Sequence, residues 1–297
     1  MTRDGRGRHT TRVRSLVQGL PDAPGVYLFY DTSGDLLYVG KSKSIRTRVR
    51  AHFSARDEKQ MCRKVEHIEV RETAGELGAL LLESKLIKEL RPMYNRLARH
   101  KRRIILARTM ITPQGYRRVV LEAVNQIDPS CTGNILAIFK TTTQAKTYLA
   151  ESAKKHRLCP KLLGLESTKR FCFAYHLHLC NGACMGLESP AQYNGRLEQA
   201  FEDRRMKAWP FTGGVIIEER RDDGSEGEIF VVDNWCLLYS FTYSHRHNSI
   251  SVRGLHRFDY DSYRILAGYV FDEENRNRIR PAGKEEIEAL IRQAHAA

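Results

Sequence analysis

The sequence contains no apolar run approaching the roughly 18 residues that a membrane-crossing helix needs, so no membrane association is expected. Its opening residues, MTRDGRGRHTTRVRSL, are basic with no apolar stretch behind them. A secretory signal is therefore not expected, and the cytoplasm is the expected location. Proline is scarce, at 9 of 297 residues, and the 21 glycines follow no period, which excludes collagen-like and low-complexity chains. No segment repeats, which excludes solenoids and propellers. No C-x-x-C pair occurs among the 7 cysteines, so an ordinary zinc finger or ribbon fits poorly.

What is present is an ordinary globular composition, 41% hydrophobic and 28% charged, at a length that suggests two or three domains. The charge is unevenly placed. Residues 1–100 carry 20 Lys and Arg against 12 Asp and Glu, residues 101–210 carry 18 against 8, and residues 211–297 carry 11 against 15. The net charge of +14 thus comes from the first 210 residues, and a basic excess of that size points to a polyanionic partner there, most often nucleic acid.

The hydrophobic pattern gives an α+β chain. A flexible basic arm is expected over 1–20. Beyond Pro24-Gly25, Val26–Tyr30 and Asp35–Gly40 read as a hairpin around the turn Asp31-Thr32-Ser33-Gly34. Helices follow to about Phe53 and over 57–65, then a strand at His67–Thr73 and a strong helix at Gly75–Leu90 ended by Pro92. These elements make a domain over 21–100, a small antiparallel sheet flanked by helices. Strands at Arg103–Met110, Arg117–Ala123 and Asn134–Lys140, with helices over 143–156 and 190–208, make a middle region over 101–210 with a Cys-rich stretch at 159–184. Residues 211–297 read as a small β-rich C-terminal domain with a terminal helix at 285–295.

Pairing Tyr30 with Asp35 across the hairpin sets Tyr27 opposite Tyr38, so two phenols share one face. As cross-strand aromatics they would stabilise the sheet, and the next helix gives them a second use. There Ile45, Val49 and Phe53 make the buried stripe, with Arg48 and His52, four residues apart, beside it. Lys41 stands just before this helix. A helix start with Lys41 and Arg48 near two phenols can hold a phosphate. Lys43, Arg46 and Arg50 read as a solvated basic face. Glu83 is the sharpest single residue. Its helical neighbours at i−4, i−3, i+3 and i+4 are Ala79, Leu80, Leu86 and Ile87, so a carboxylate projects from an apolar face, where it is costly unless paired or bound to a metal. A salt bridge to a neighbouring Arg would serve it as well as a metal ion.

Gly25-Val26-Tyr27, with Tyr38-Val39-Gly40 eleven residues on, resembles the paired signature of the GIY-YIG nucleases, and Lys41, Arg48, Glu83 and Asn95 continue that pattern in order. The stretch from Pro24 to Asn95 looks like the N-terminal domain of the UvrC excinuclease subunit. It departs at His52, where UvrC commonly has tyrosine and other GIY-YIG enzymes have histidine. The resemblance implies phosphodiester hydrolysis with one divalent metal, Mg²⁺ or Mn²⁺. In that scheme Tyr27 takes a proton from the attacking water, with cationic help from Lys41 and Arg48. Arg48 also neutralises transition-state charge, and Glu83 is the sole protein carboxylate on the metal. Tyr38 and Asn95 orient water or shape the pocket, and His52 assists proton transfer or holds a water. Gly40, Lys43, Arg46 and Arg50 would face DNA.

Cys159, Cys172, Cys180 and Cys184 fall within 26 residues, which in a cytoplasmic protein reads as a metal site or redox chemistry. Their loose spacing suits an iron–sulfur cluster better than zinc, and four thiols that merely pack is the third reading. Arg170-Phe171-Cys172 and Cys180-Asn181-Gly182-Ala183-Cys184-Met185-Gly186 resemble the Cys-rich region after the UvrC nuclease domain, which implies a four-iron (4Fe-4S) cluster, with zinc as runner-up. His176 and His178 alternate as on a short strand, His245 and His247 read as loop, and Cys62, Cys131 and Cys236 stand alone.

The layout as a whole resembles the short members of the UvrC family. That likeness implies the 3′ incision of nucleotide excision repair, on damaged double-stranded DNA loaded with UvrA and UvrB. Two other readings stay open: a GIY-YIG nuclease of restriction or mobile-element type, and a non-catalytic DNA-binding or redox-sensing module. The iron–sulfur region speaks against the first, and the complete set Tyr27, Tyr38, Arg48 and Glu83 against the second.

Overall fold

Gly25-Val26-Tyr27-Leu28-Phe29-Tyr30 is apolar or aromatic at every position after the glycine, a pattern that fits a strand covered on both faces. It forms β1 (Gly25–Tyr30), the centre of an antiparallel sheet ordered β2-β1-β3, with β2 at Leu36–Ser42 and β3 at His67–Glu72. The structure, a computed structural model, describes residues 12–95, 104–124, 134–168, 170–224, 226–244 and 258–296. The described parts of Met1–His100 and Trp209–Ala297 form one unit, and those of Lys101–Ala208 form a second.

In the first unit a helix over 12–17 (α1), α2 (Ile45–Ser54) and α3 (Lys59–Lys64) cover the face of β1 that carries Tyr27 and Phe29. Helix α4 (Glu76–Leu90) covers the other face, where Val26, Leu28, Val39, Leu86 and Ile87 share a core. Val17 and Leu20 are buried against Tyr27 and Phe29, so the chain expected as a loose arm is docked from residue 12 onward; residues 1–11 lie outside the described residues. The hairpin register also differs from expectation. Tyr27 pairs with Gly40 and Phe29 with Tyr38, and a bulge after Phe29 brings Tyr30 opposite Leu36. The turn, one residue longer than expected, is held by the Asp31 carboxylate, which accepts the Ser33 and Asp35 N–H groups at 2.9 Å each.

The second unit holds a sheet ordered β5-β4-β6, from β4 (Ile104–Ile111), β5 (Arg117–Val124) and β6 (Ile135–Phe139). Helix α5 (Thr142–Lys155) starts where the Thr141 side chain accepts the Gln144 N–H, and α7 (Pro190–Phe201) where Ser189 accepts the Gln192 N–H ahead of a proline at the first helical position. Between them lies the short α6 (Phe173–His176). The expected strand through His176 and His178 does not form: His176 ends α6 and His178 takes a left-handed turn at φ 53°.

The C-terminal residues return to the first unit. A sheet ordered β10-β7-β8-β9 is made from β7 (Val215–Arg220), β8 (Glu226–Asp233), β9 (Cys236–Ser244) and β10 (Ile279–Pro281). Helices α8 (Tyr260–Val270) and α9 (Lys284–Ala296) complete it. Helix α8 escaped the periodicity reading, although Asp259, which accepts the Ser262 N–H, is an N-cap signal in the sequence.

This C-terminal part is built into the nuclease helix. Gly75 at the start of α4 has no capping side chain, and Glu219 of β7 supplies the cap instead. Its carboxylate accepts the Leu77 N–H at 3.0 Å and the Gly78 N–H at 2.9 Å while only 1% exposed. A Cβ on Gly75 would meet Glu219 and one on Gly78 would meet Glu228, so both glycines permit the approach. Burial raises the Glu219 pKa, and the two N–H groups pull it back. At the far end of α4, Lys88 bonds Asp259 at 2.6 Å. Replacing Glu219 by Ala strands two buried helix N–H groups and is expected to cost about 3 kcal/mol. Urea unfolding of the full chain measures it, and a cost below about 0.5 kcal/mol would remove Glu219 as the anchor of α4.

Candidate active site

The hairpin brings the two phenols together by parity. Tyr27 and Tyr38 lie on one face with ring centroids 6.2 Å apart. Gly40, opposite Tyr27 in register, is buried, and it makes the room for the phenol. A Cβ there would stand 2.4 Å from the Tyr27 hydroxyl and 2.7 Å from Tyr38 Cε1. The glycine expected on the DNA side is therefore placed beneath the tyrosine. Tyr27 has no exposed surface, whereas Tyr38 is half-buried. Burial drives the Tyr27 pKa far above the ordinary tyrosine range; Tyr38 pushes it further, and Arg48 pulls it back. Tyr38 is raised as well, by burial first and then by Glu83.

Helix α2 points Ile45, Val49 and His52 inward, and Phe53 is only half-buried. His52 holds the Tyr27 hydroxyl at 2.6 Å through Nε2 and Glu58 Oε2 at 2.5 Å through Nδ1. Arg48, exposed on the same helix, reaches the Tyr27 hydroxyl. Arg50 is exposed, and Arg46 is turned back onto the Leu20 carbonyl at 2.6 Å, away from the face expected to meet DNA.

From α4, Glu83 reaches under the end of β2. It accepts the Lys41 backbone N–H at 3.1 Å and, among the described residues, forms no ion pair. Among the described residues, then, no salt bridge to an Arg occupies it. Burial raises its pKa, while the Lys41 N–H, the Lys41 charge and Arg48 lower it. The Lys41 and Lys43 ammonium groups, expected beside the phenols and the DNA, bind Glu76 instead, at 2.8 and 2.7 Å. Glu76 is two helical turns before Glu83 and so on the same face of α4, a spacing that was visible in the sequence but carried no motif.

Asn95 binds the backbone of β2. Its Oδ1 accepts the Val39 N–H at 2.9 Å and its Nδ2 donates to the Val39 carbonyl at 2.8 Å. Tyr94 N–H donates to the Leu37 carbonyl just before it. Residues 93–95 thereby close the free edge of β2 and hold Val39, between Tyr38 and Gly40, in place.

In the second unit the four cysteines converge. Cys159 Sγ is 3.7 Å from Cys172 Sγ, which is 3.4 Å from Cys180 Sγ, and the sulfurs of Cys159, Cys172 and Cys184 all lie within 4.8 Å of one another. Burial raises the pKa of the Cys159 and Cys172 thiols. An all-thiol set of this kind fits a thiolate-bound metal centre. Cys62 and Cys236 stand apart from it, and Cys131, His245 and His247 lie outside the described residues.

Comparison with known proteins covers all three parts of the chain. Residues 23–96 match the UvrC-like GIY-YIG domain, residues 106–203 the UvrC/Cho excinuclease middle domain, and residues 214–286 the excinuclease Cho C-terminal domain. Excinuclease Cho of Escherichia coli K12 is 37% identical over 257 residues, which cover 86% of this chain and 84% of that protein. UvrABC system protein C of Chlorobium luteolum is 31% identical over 211 residues, covering 61% of this chain and 30% of that one. A crystal structure of the GIY-YIG N-terminal endonuclease domain of Thermotoga maritima UvrC, bound to magnesium, is 30% identical, covers 28% of this chain and 94% of its own, and aligns with a TM-score of 0.26.

Proposed function

Because the chain belongs to the excinuclease Cho family, and is a nucleotide excision repair endonuclease with a GIY-YIG nuclease domain, we propose that it makes the 3′ incision in damaged double-stranded DNA loaded by UvrA and UvrB. The observation that carries the chemistry is the meeting of a phenol, a guanidinium, an imidazole and a carboxylate that forms no ion pair among the described residues around the end of one hairpin. No helix among the described residues is long and apolar enough to cross a membrane; the cytoplasmic site of action follows from the DNA substrate proposed. A duplex with one lesion and end-labelled strands tests the proposal. Incision 3′ to the lesion only when UvrA and UvrB are present is the expected result, and equal cutting of undamaged DNA without them overturns it.

Glu83 would hold one Mg²⁺ or Mn²⁺, since a lone hard oxygen donor leaves the rest of the sphere to water and phosphate. When bound, such an ion neutralises charge on the scissile phosphate. The chain's own groups do the remainder. Tyr27 takes the proton of the attacking water and passes its own to His52. Arg48 stabilises the phenolate and the phosphorane-like charge. Tyr38 orients the water. Tyr27→Phe keeps the ring packing and removes the hydroxyl, and should slow nicking by about a hundredfold or more, as for a lost general base. Tyr38→Phe should cost less. The reverse ranking in single-turnover rates would transfer the base role to Tyr38, the more exposed phenol.

Cys159, Cys172, Cys180 and Cys184 would hold a 4Fe-4S cluster through their thiolates. Cys159, Cys172 and Cys184, whose sulfurs lie within 4.8 Å of one another, would also suit zinc, with Cys180 beside Cys172 as the fourth thiol. Protein purified anaerobically should be brown and contain iron, and Cys172→Ser should bleach it and lower the stability of the second unit. A colourless protein with one zinc per chain would show that the centre is zinc.

A further inference from the structure

His52 is enclosed. Its side chain has no exposed surface, and its two ring nitrogens are both engaged, Nε2 by Tyr27 and Nδ1 by Glu58. The titratable and charged groups facing it come from four places: Tyr27 on β1, Tyr38 on β2, Arg48 on its own helix, and Glu58 just before α3. The Cys62 thiol of α3 donates to the His52 backbone carbonyl at 3.3 Å. Among the described residues, Glu58 is the only carboxylate that bonds the imidazole.

We propose that Glu58 is a positioning residue of the reaction, which sets the His52 tautomer so that Nε2 is free to accept the Tyr27 proton. The inference rests on the reading of Tyr27 as the base. A carboxylate on Nδ1 keeps the ring proton there, and the opposite nitrogen then presents its lone pair to the phenol. In the reaction the water O–H bond breaks and its proton forms an O–H bond on Tyr27. The former Tyr27 proton forms an N–H bond on His52 Nε2. The hydroxide oxygen forms a bond to phosphorus as the scissile P–O bond breaks; the leaving DNA oxygen departs with the electron pair and takes a proton from solvent, and the imidazolium, held beside the Glu58 carboxylate, releases its proton in turn, which restores neutral His52. Burial lowers the His52 pKa and Glu58 opposes that fall, so the ring rests neutral, with its acceptor open, and is stabilised once charged. Hydrolases built on a Ser-His-Asp triad use a carboxylate on the far nitrogen of histidine in this way. Here it acts through a phenol in place of a serine hydroxyl.

Single-turnover nicking by the full chain tests this in Mg²⁺, with wild type, Glu58→Gln, Tyr27→Phe and the double variant. Glu58→Gln preserves shape and removes the charge. It should lower kcat by about tenfold to a hundredfold with KM for DNA unchanged, and move the acid limb of the pH–rate profile to lower pH as His52 loses its anion. In the Tyr27→Phe background the same change should have no further effect, since the relay is already cut. Wild-type kcat and an unmoved limb in Glu58→Gln overturn the proposal. So does an equal loss in both backgrounds, which marks a purely structural role. If Glu58→Gln does not fold, Glu58→Asp carries the same comparison: a normal kcat and limb support a carboxylate requirement only when Glu58→Ala, in the same assay, loses both, and a normal Glu58→Ala overturns it. If instead Tyr27→Phe nicks like wild type, it is the reading of Tyr27 that fails.

Discussion

Glu83→Gln should abolish Mg²⁺-dependent nicking, by about a thousandfold or more, while leaving DNA binding intact. The amide keeps an oxygen for the Lys41 N–H, which the carboxylate now holds at 3.1 Å, so β2 and α4 remain joined. What is lost is the charge proposed to hold a divalent ion, and such an ion is worth several kcal/mol of transition-state stabilisation. Binding survives because it comes from phosphate contacts made by basic groups, as its steep salt dependence should show. The variant should also be more stable than wild type in EDTA. Burial raises the Glu83 pKa above its ordinary 4.5, so the folded state binds more protons than the unfolded one just above that value. Wild-type stability therefore falls as pH rises through the window above 4.5 and returns in acid, whereas Gln does not titrate. The gain in Tm should be greatest near neutral pH and vanish in acid. Nicking at the wild-type rate in Mg²⁺ would remove Glu83 from the metal site.

The same residue shows how far the sequence could be read. Four apolar neighbours in a helix made Glu83 conspicuous, because helical spacing translates directly into a face. What it touches depended on which strand end lay over that face, and the Lys41 backbone is not a side-chain signal at all. The hairpin is similar. The expected register was two residues off along β1 up to Phe29, yet Tyr27 and Tyr38 still share a face, because a slip of two leaves side chains on their side and a slip of one does not. In α2 the inward place went to His52 and not to Phe53, since positions 45, 49 and 52 follow the 3.6-residue turn more closely than a strict step of four.

Roles that rest on long-range closure were the least legible. Asn95 looked like a pocket residue by its place in a motif, and its fork on Val39 appears only once residues 93–95 lie along β2. Glu219 stands 142 residues from Leu77, in a segment read from its strand pattern as a C-terminal domain of its own. No local pattern distinguishes it from Glu218, which the strand's alternation sends to the other face. Its burial ties the stability of α4, and hence the position of Glu83, to the C-terminal sheet.

Gly40→Ala is expected to disable the site without touching a single catalytic side chain. The added methyl would sit 2.4 Å from the Tyr27 hydroxyl, 2.5 Å from Tyr27 Cζ and 2.7 Å from Tyr38 Cε1, all closer than atoms can approach. Both rings are held: Tyr27 is packed among Phe29, His52 and Tyr38, and Asn95 fixes the strand on which Gly40 lies. The backbone cannot yield easily, so the phenol must, and its bond to His52 at 2.6 Å is the contact most directly displaced. Overpacking of this kind costs about 1–3 kcal/mol of stability, and moving the base by 1 Å costs about a hundredfold in rate. Gly195→Ala in α7 is the control, because its Cβ meets nothing within 4 Å. It should stabilise by up to about 1 kcal/mol through helix propensity, with nicking unchanged. Melting curves and single-turnover rates of the two variants separate the effects. If Gly40→Ala melts lower but cuts at the wild-type rate, the Tyr27 hydroxyl is not needed where the hairpin places it, and the base must be sought at Tyr38.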